Sequence, residues 1–488
     1  MKINSSKYII VGLLAVTAGI VSCEDDLDVT NKKTISEQDF LNNPDNAIQL
    51  VNGVYNKLLD FETFSFSWIG MTSITSDDAD KGSIPSDTGT DKDKLDALNF
   101  ETSSISFNQV YRSRYDIVRR ANEGIFYIGQ TSIDANLKKR MVAECRFLRA
   151  LAYFDLVRCF GGVPLVISNI NLNDTQTVND VVFTRRTKAE TYAQIEADLL
   201  AAIPDLPVKS EYTAKDLGRA SKGSAQALLA KAYLYQEKWQ DAFDMSGQVI
   251  TSGQYALLTN YAEVWRETGE NKQESIFEAQ AVFNNGVNDY TVVQGPRGTP
   301  DYGWGFNTPT IGLANSYEAG DLRKEGTIIF VPSTLWDGLP APSTWNNPRY
   351  NYKAYQSSLL ETGTGTNSGD SGKNVRILKY GDLLLIRAEA ALHLGNSGDA
   401  LTQVNIVRHR AGLADRTSLT MDELYAERRH EMAMEHDRWF DLIRTGKAQS
   451  AMAIDGKVFI TGKHELFPIP QDQITLSGGR LTQNPGYN

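Results

Sequence analysis

Cysteine is almost missing from this sequence: three residues in 488. A scaffold stapled by disulfides is thereby excluded. Cys23 ends an apolar leader, and Cys145 and Cys159 lie in one helical pattern. Fourteen residues of helix separate those two by about 21 Å, beyond disulfide reach, so both read as small core residues. Positive charge is also short. Lys and Arg number 49 against 60 Asp and Glu, a net charge of −11, and no basic cluster offsets it. Such a chain repels nucleic-acid phosphates and anionic surfaces, so nucleic-acid binding is excluded. No segment after residue 22 is apolar enough to span a bilayer, which takes about 20 such residues.

What is there begins with an export signal. Lys2 and Lys7 precede an apolar run from Tyr8 to Ser22, too short to span and right for a secretory leader. Ile20-Val21-Ser22-Cys23 resembles a lipobox, so 1–22 reads as a lipoprotein signal peptide and Cys23 as the lipidation site. Residues 23–35 read as an acidic tether, and 36–488 as a single domain. Apolar content of 41% is ordinary for a globular chain.

The dominant pattern is helical. Asn43-Pro44 opens a helix as N-cap and first residue. A second helix is expected over Phe107 to Ile128. "RMVAECRFLRALAYFDLVRCFGGVP" repeats apolar residues at three and four positions and ends at Gly161-Gly162. Thr187/Glu190 and Thr420/Glu423 form capping boxes, the second opening a helix expected to run to Gly446. "SAQALLAKAYLYQEKWQDAFDMSGQVI" and "YGDLLLIRAEAALHLGNSGDALTQVNIVRHRAG" each read as two helices around a short turn, in the manner of tetratricopeptide hairpins. The scaffold is therefore placed at about 40–60, 107–255 and 376–446. Residues 60–106 and 255–375 lose the helical period and gain Gly, Pro, Asn and Trp. They read as long ordered loops, where function concentrates.

Catalytic and metal signatures fail on spacing. "GTGTNSGDSGKN" lacks the first P-loop glycine and the metal-binding hydroxyl. His430 and His436 are six apart and diverge around a helix, so "RHEMAMEH" is no zinc helix. "SDDADKGS" has Gly82 where a calcium loop needs a ligand, and there is no GxSxG elbow. No cofactor or metal is expected. A two-carboxylate glycosidase stays open, since sixty acids offer no way to choose a pair. The loop tryptophans are more informative. Aromatic faces complement the C–H faces of sugar rings, and nearby acids and amides bond hydroxyls. On position and chemistry, the candidate ligand-binding residues are Trp68, Asp78 and Lys81 from the early loop. Tyr302, Trp304, Trp336 and Trp345 come from the later one.

Six segments, in order, resemble the SusD/RagB family of outer-membrane nutrient-binding lipoproteins. They are "AECRFLRALAYFDLVRCFGGVPLV", "RASKGSAQALLAKAYLY", "LKYGDLLLIRAEAAL", "NIVRHRAGL", "ERRHEMAMEHDRWFDLIRTG" and "LFPIPQDQI…QNPGY". The resemblance implies an all-α core of four tetratricopeptide-like hairpins with a variable, loop-rich binding face. It implies that Arg428, Arg429, Glu431 and Glu435 form a structural charge network. It further implies a non-enzymatic lipoprotein on the extracellular face of the outer membrane, anchored through Cys23. Glu24, Asp25 and Asp26 resemble the family's surface-export signal. Such a protein captures oligosaccharide or polysaccharide and delivers it to a SusC-like TonB-dependent transporter. Peptide import and surface glycoside hydrolysis are the alternatives.

Overall fold

The computed structural model describes residues 41, 43–88, 90–283, 288–362 and 371–487. The lipobox, Cys23 and the acidic tether lie outside these residues. Ten helices build the scaffold: α1 Pro44–Asn56, α2 Ile105–Gln130, α3 Ala135–Phe160, α4 Lys188–Ala202, α5 Lys222–Leu234, α6 Trp239–Thr251, α7 Tyr380–His393, α8 Ser397–Arg410, α9 Met421–Met432 and α10 Arg438–Arg444. Helices α2/α3, α5/α6 and α7/α8 are direct hairpins, α4 lies along α3, and α6 packs on α7. The fold is the expected all-α, tetratricopeptide-like scaffold.

Local chemistry explains the boundaries. Asn43 caps α1 through Asp45 N at 3.0 Å, and the Thr187/Glu190 and Thr420/Glu423 boxes both close. Helix α3 stops at Gly161, whose φ of +73° suits glycine. From Ala143 onward α3 is buried almost all round, as a central helix must be. Cys145 and Cys159 are free and buried in that core.

The last helix is not continuous. It breaks after Met432, because Met434 and His436 take φ of +65° and +68°. The break turns Glu435 inward to Lys353 and Lys379, at 2.6 and 2.9 Å. The implied charge network is present and buried. Glu431 accepts from Lys379 at 2.8 Å and Arg410 at 2.6 Å. Arg428 bridges Asp382 and Asp441, and Lys231 reaches Asp382 from α5 at 2.9 Å. Burial would raise both carboxyls, but the positive charges packed against them, Arg428 and Lys231 at Asp382 and Arg410, Lys379 and Arg323 at Glu431, outweigh it and hold both well below the usual carboxylate range.

Among the described residues the loop-rich regions carry eight short strands in four antiparallel pairs: β1 Ala79–Gly82 with β3 Phe306–Pro309, β2 Ser275–Ala279 with β8 Val375–Lys379, β4 Ile328–Phe330 with β7 Arg349–Asn351, and β5 Ser333–Thr334 with β6 Pro340–Ala341. The β1–β3 pair ties the early loop to the later one, with Gly82 opposite Phe306.

Candidate functional site

Glycine decides where the aromatic residues of "TPDYGWGFNTP" point. A Cβ on Gly303 would stand 2.4 Å from Val292 O, and one on Gly295 2.5 Å from Tyr302 O. Two backbones therefore lie in contact, joined by Trp304 N to Val292 O at 2.7 Å and Tyr302 N to Pro296 O at 2.9 Å. Tyr302 and Trp304 leave this ribbon in different directions. Trp304 packs on Phe61 and Phe66, with ring centroids 6.3 and 5.8 Å away. Tyr302 stands edge-on to Trp345 at 5.9 Å and to Tyr355 at 6.3 Å.

Behind Tyr302 lies an aromatic wall, the buried rings of Trp345, Tyr350 and Tyr355, with polar groups at its ends. The Tyr355 hydroxyl donates to Asp337 Oδ2 at 2.8 Å. Burial, then the Asp337 charge, raise the Tyr302 phenol above its ordinary range, so it remains a hydroxyl donor at neutral pH. Trp336, beside Asp337, is 36% exposed. With Tyr352 it lines a groove of about 660 Å³ that also receives Asn260, Glu325, Thr334 and Arg410. At the other end, Arg297 donates to Ser83 Oγ at 2.6 Å and Asp87 Oδ2 at 2.8 Å. The Tyr350 hydroxyl donates to the Arg297 carbonyl at 3.0 Å and Trp345 packs on Tyr350 at 5.6 Å, so this polar pair adjoins the wall. Stacking faces flanked by carboxylate, guanidinium and amide groups suit a neutral, hydroxyl-rich ligand. Among the described residues no three His, Cys, Asp or Glu side chains converge as a metal site.

Four expected contact residues are corrected by their surroundings. Trp68 is 3% exposed and belongs to the core: Phe64 stands edge-on at 5.9 Å and the Arg114 guanidinium covers its face at 4.5 Å. Asp78, 1% exposed, is held by Arg429 at 2.7 Å. Lys81 is buried and pins its own loop, donating to Asp87 O and Asp93 at 2.8 Å each. Trp345 is 5% exposed and props Tyr302 from below, its indole N–H bound to Pro300 O at 2.8 Å. Trp336 lines the groove, Tyr302 stands on the buried Trp345 and Tyr355 rings outside its lining, and Trp304 belongs to the separate Phe61/Phe66 cluster. Sequence reasoning passed over Tyr352, which lines the groove with Trp336. The signal was the tyrosine-rich "RYNYKAY", which carries Tyr350, Tyr352 and Tyr355.

Two family descriptions match the chain: "SusD family" over residues 328–487 and "Starch-binding associating with outer membrane" over 27–234. A SusD-like protein of Bacteroides ovatus is 28% identical, covering 71% of this chain and 67% of its own. The starch-binding protein SusD of Bacteroides thetaiotaomicron is 25% identical, with 81% of each chain covered. Among solved structures, a laminarin-binding SusD-like protein superposes with a TM-score of 0.78 at 29% identity, covering 91% of this chain and 100% of its own. Neither family description reaches 235–327, the stretch that supplies Tyr302 and Trp304.

Proposed function

The chain belongs to the SusD/RagB family, and from that footing we propose that it captures an extended glycan at the cell surface and breaks no bond in it. The observation that carries this is the groove of about 660 Å³ in which the exposed Trp336 and the half-buried Tyr352 stand with the polar side chains of Asn260, Glu325 and Thr334. Starch and laminarin, the ligands of the two named relatives, are both glucans. A glucan is therefore the first ligand class to offer.

The proposed setting is the extracellular face of the outer membrane, with the lipid on Cys23 as the anchor. No helix among the described residues is long and apolar enough to cross a membrane. The proposed partner is a SusC-like TonB-dependent transporter, to which the captured glycan is handed.

The experiment is calorimetry of the purified chain against laminarin, starch and a wider polysaccharide panel, with product analysis after long incubation. Binding to at least one glycan, weakened about tenfold or more by Trp336→Ala, with no sugar released, is the expected result. Binding to none, or release of product by the protein alone, sinks the reading. Co-purification of a tagged chain with a TonB-dependent transporter from solubilised membranes tests the delivery step, and Cys23→Ser is expected to shift the protein to the soluble fraction.

A further inference from the structure

One side chain stands behind both rings of the groove. Arg266 is 5% exposed, and its guanidinium carbon lies 4.6 Å from the Trp336 ring centroid and 4.7 Å from that of Tyr352. Both rings line the groove and Arg266 does not. The same guanidinium donates to the backbone carbonyls of Tyr352 at 3.0 Å and Tyr355 at 3.2 Å. Glu361 lies 3.6 Å from it, and that carboxylate is itself fixed by the N–H groups of Glu267 and Ser357, at 3.0 and 2.9 Å.

We infer that Arg266 is a positioning residue: it holds Trp336 and Tyr352 as a pre-set wall of the groove, with their far faces offered to a sugar ring. The inference rests on the glycan-capture reading. A planar fork has two properties a lysine lacks: a flat, delocalised face for aromatic rings, and donors set apart so as to bridge two carbonyls at once. Side chains ordered in advance need not be ordered by the ligand, and that saving appears as affinity. Lys373 donates independently to the Tyr355 carbonyl at 2.6 Å. Removing Arg266 therefore frees the rings while the turn beneath them keeps a donor.

The test is calorimetry with laminarin on wild type, Arg266→Ala, Arg266→Lys, Trp336→Ala and the Arg266→Ala/Trp336→Ala pair. Acrylamide quenching of Trp336 is measured alongside, read as the difference between each protein and its Trp336→Phe counterpart, since the chain has 7 tryptophans. Arg266→Ala is expected to weaken binding about tenfold, Lys is expected not to restore it, and the double variant is expected to lose less than the two single losses added together, since part of the Arg266 effect acts through Trp336. Quenching of Trp336 should rise in Arg266→Ala. Arg266→Met keeps the volume and replaces the alanine variant should that fail to fold. Effects of Arg266→Ala and Trp336→Ala that simply add, or unchanged quenching, overturn the inference. A wild type that binds no polysaccharide in the panel overturns the glycan reading, and the quenching result then decides the positioning role alone.

Discussion

Arg429 Nε donates to Asp78 Oδ1 at 2.7 Å across 351 positions of sequence. Its Nη2 also reaches Asp77 at 3.0 Å, and Arg438 forks Asp77 at 2.7 and 2.8 Å. The early loop is thus clamped to the end of the scaffold by two arginines and two buried carboxylates. Burial holds Asp78 above its ordinary range, whereas at Asp77 the Arg438 fork outweighs burial and lowers it.

Asp78→Ala should therefore act on stability and leave binding alone. Breaking one side of a buried ion pair costs about 3 kcal/mol, to be read from urea unfolding. Glycan affinity should stay within about twofold. A large loss of affinity in a protein of wild-type stability would return Asp78 to the ligand surface.

Trp68 and Trp336 make a matched pair. Trp68→Ala empties a core site and strips Arg114 of one of its two aromatic partners, leaving Phe64, so a loss of about 3–5 kcal/mol is expected. Trp336→Ala removes a ring 36% exposed, and its stability cost should be at most about 1 kcal/mol while binding falls. Thermal unfolding and calorimetry on both variants separate the two roles, and the assignment of Trp68 to the core fails if Trp68→Ala melts like wild type.

The same two residues show how far the sequence could be read. The scaffold was legible because capping boxes, 3.6-residue periodicity and stop glycines are local signals, written within each helix. Trp68 was misplaced because loop composition says where the helical period ends and nothing about depth. A chain that wanders can still wander through the core. Asp78 and Lys81 failed for a related reason: their partners Arg429 and Asp93 are set by tertiary contact. The break at Met434 was missed because methionine gives no sign of a left-handed backbone, and a lone histidine, though enriched there, is a weak one. Trp336 is presented to the groove by the turn between β5 and β6, and Tyr352 follows β7, pairings that no local pattern in those short strands declares.

Buried histidines set a pH dependence. Burial drives His436 down to about 4; Asp437 opposes this and Lys353 adds to it. Its Nε2 lies 3.2 Å from the Tyr290 hydroxyl. The folded value is below the unfolded one, near 6.5, so the unfolded chain takes up the proton first. Stability present above pH ~6.5 is therefore lost as pH falls toward 4, by on the order of 2 kcal/mol between pH 7 and 5 for this one group. His430 is driven down to about 4 in the same way, by burial and then Arg323. His436→Asn tolerates the left-handed backbone and should flatten the curve of unfolding free energy against pH over that window. An unchanged slope would remove His436 as its source.

Gly381 tests whether the Glu431 network governs the sequence of α7. A Cβ at this position would stand 2.3 Å from Glu431 Oε1, the oxygen that accepts from Lys379 and Arg410. Alanine is ordinarily the better helix former by about 1 kcal/mol, so a helical glycine needs a reason, and here the reason is a carboxylate on another helix. Gly381→Ala must push that oxygen away from two cations, leaving buried charge poorly paired, and a net loss of about 3 kcal/mol is expected. Gly398, in the first turn of α8, has nothing within 4 Å of its would-be Cβ. Gly398→Ala should be neutral or stabilising by up to about 1 kcal/mol. Equal effects of the two substitutions on the urea midpoint would mean that Gly381 is not there to make room for Glu431.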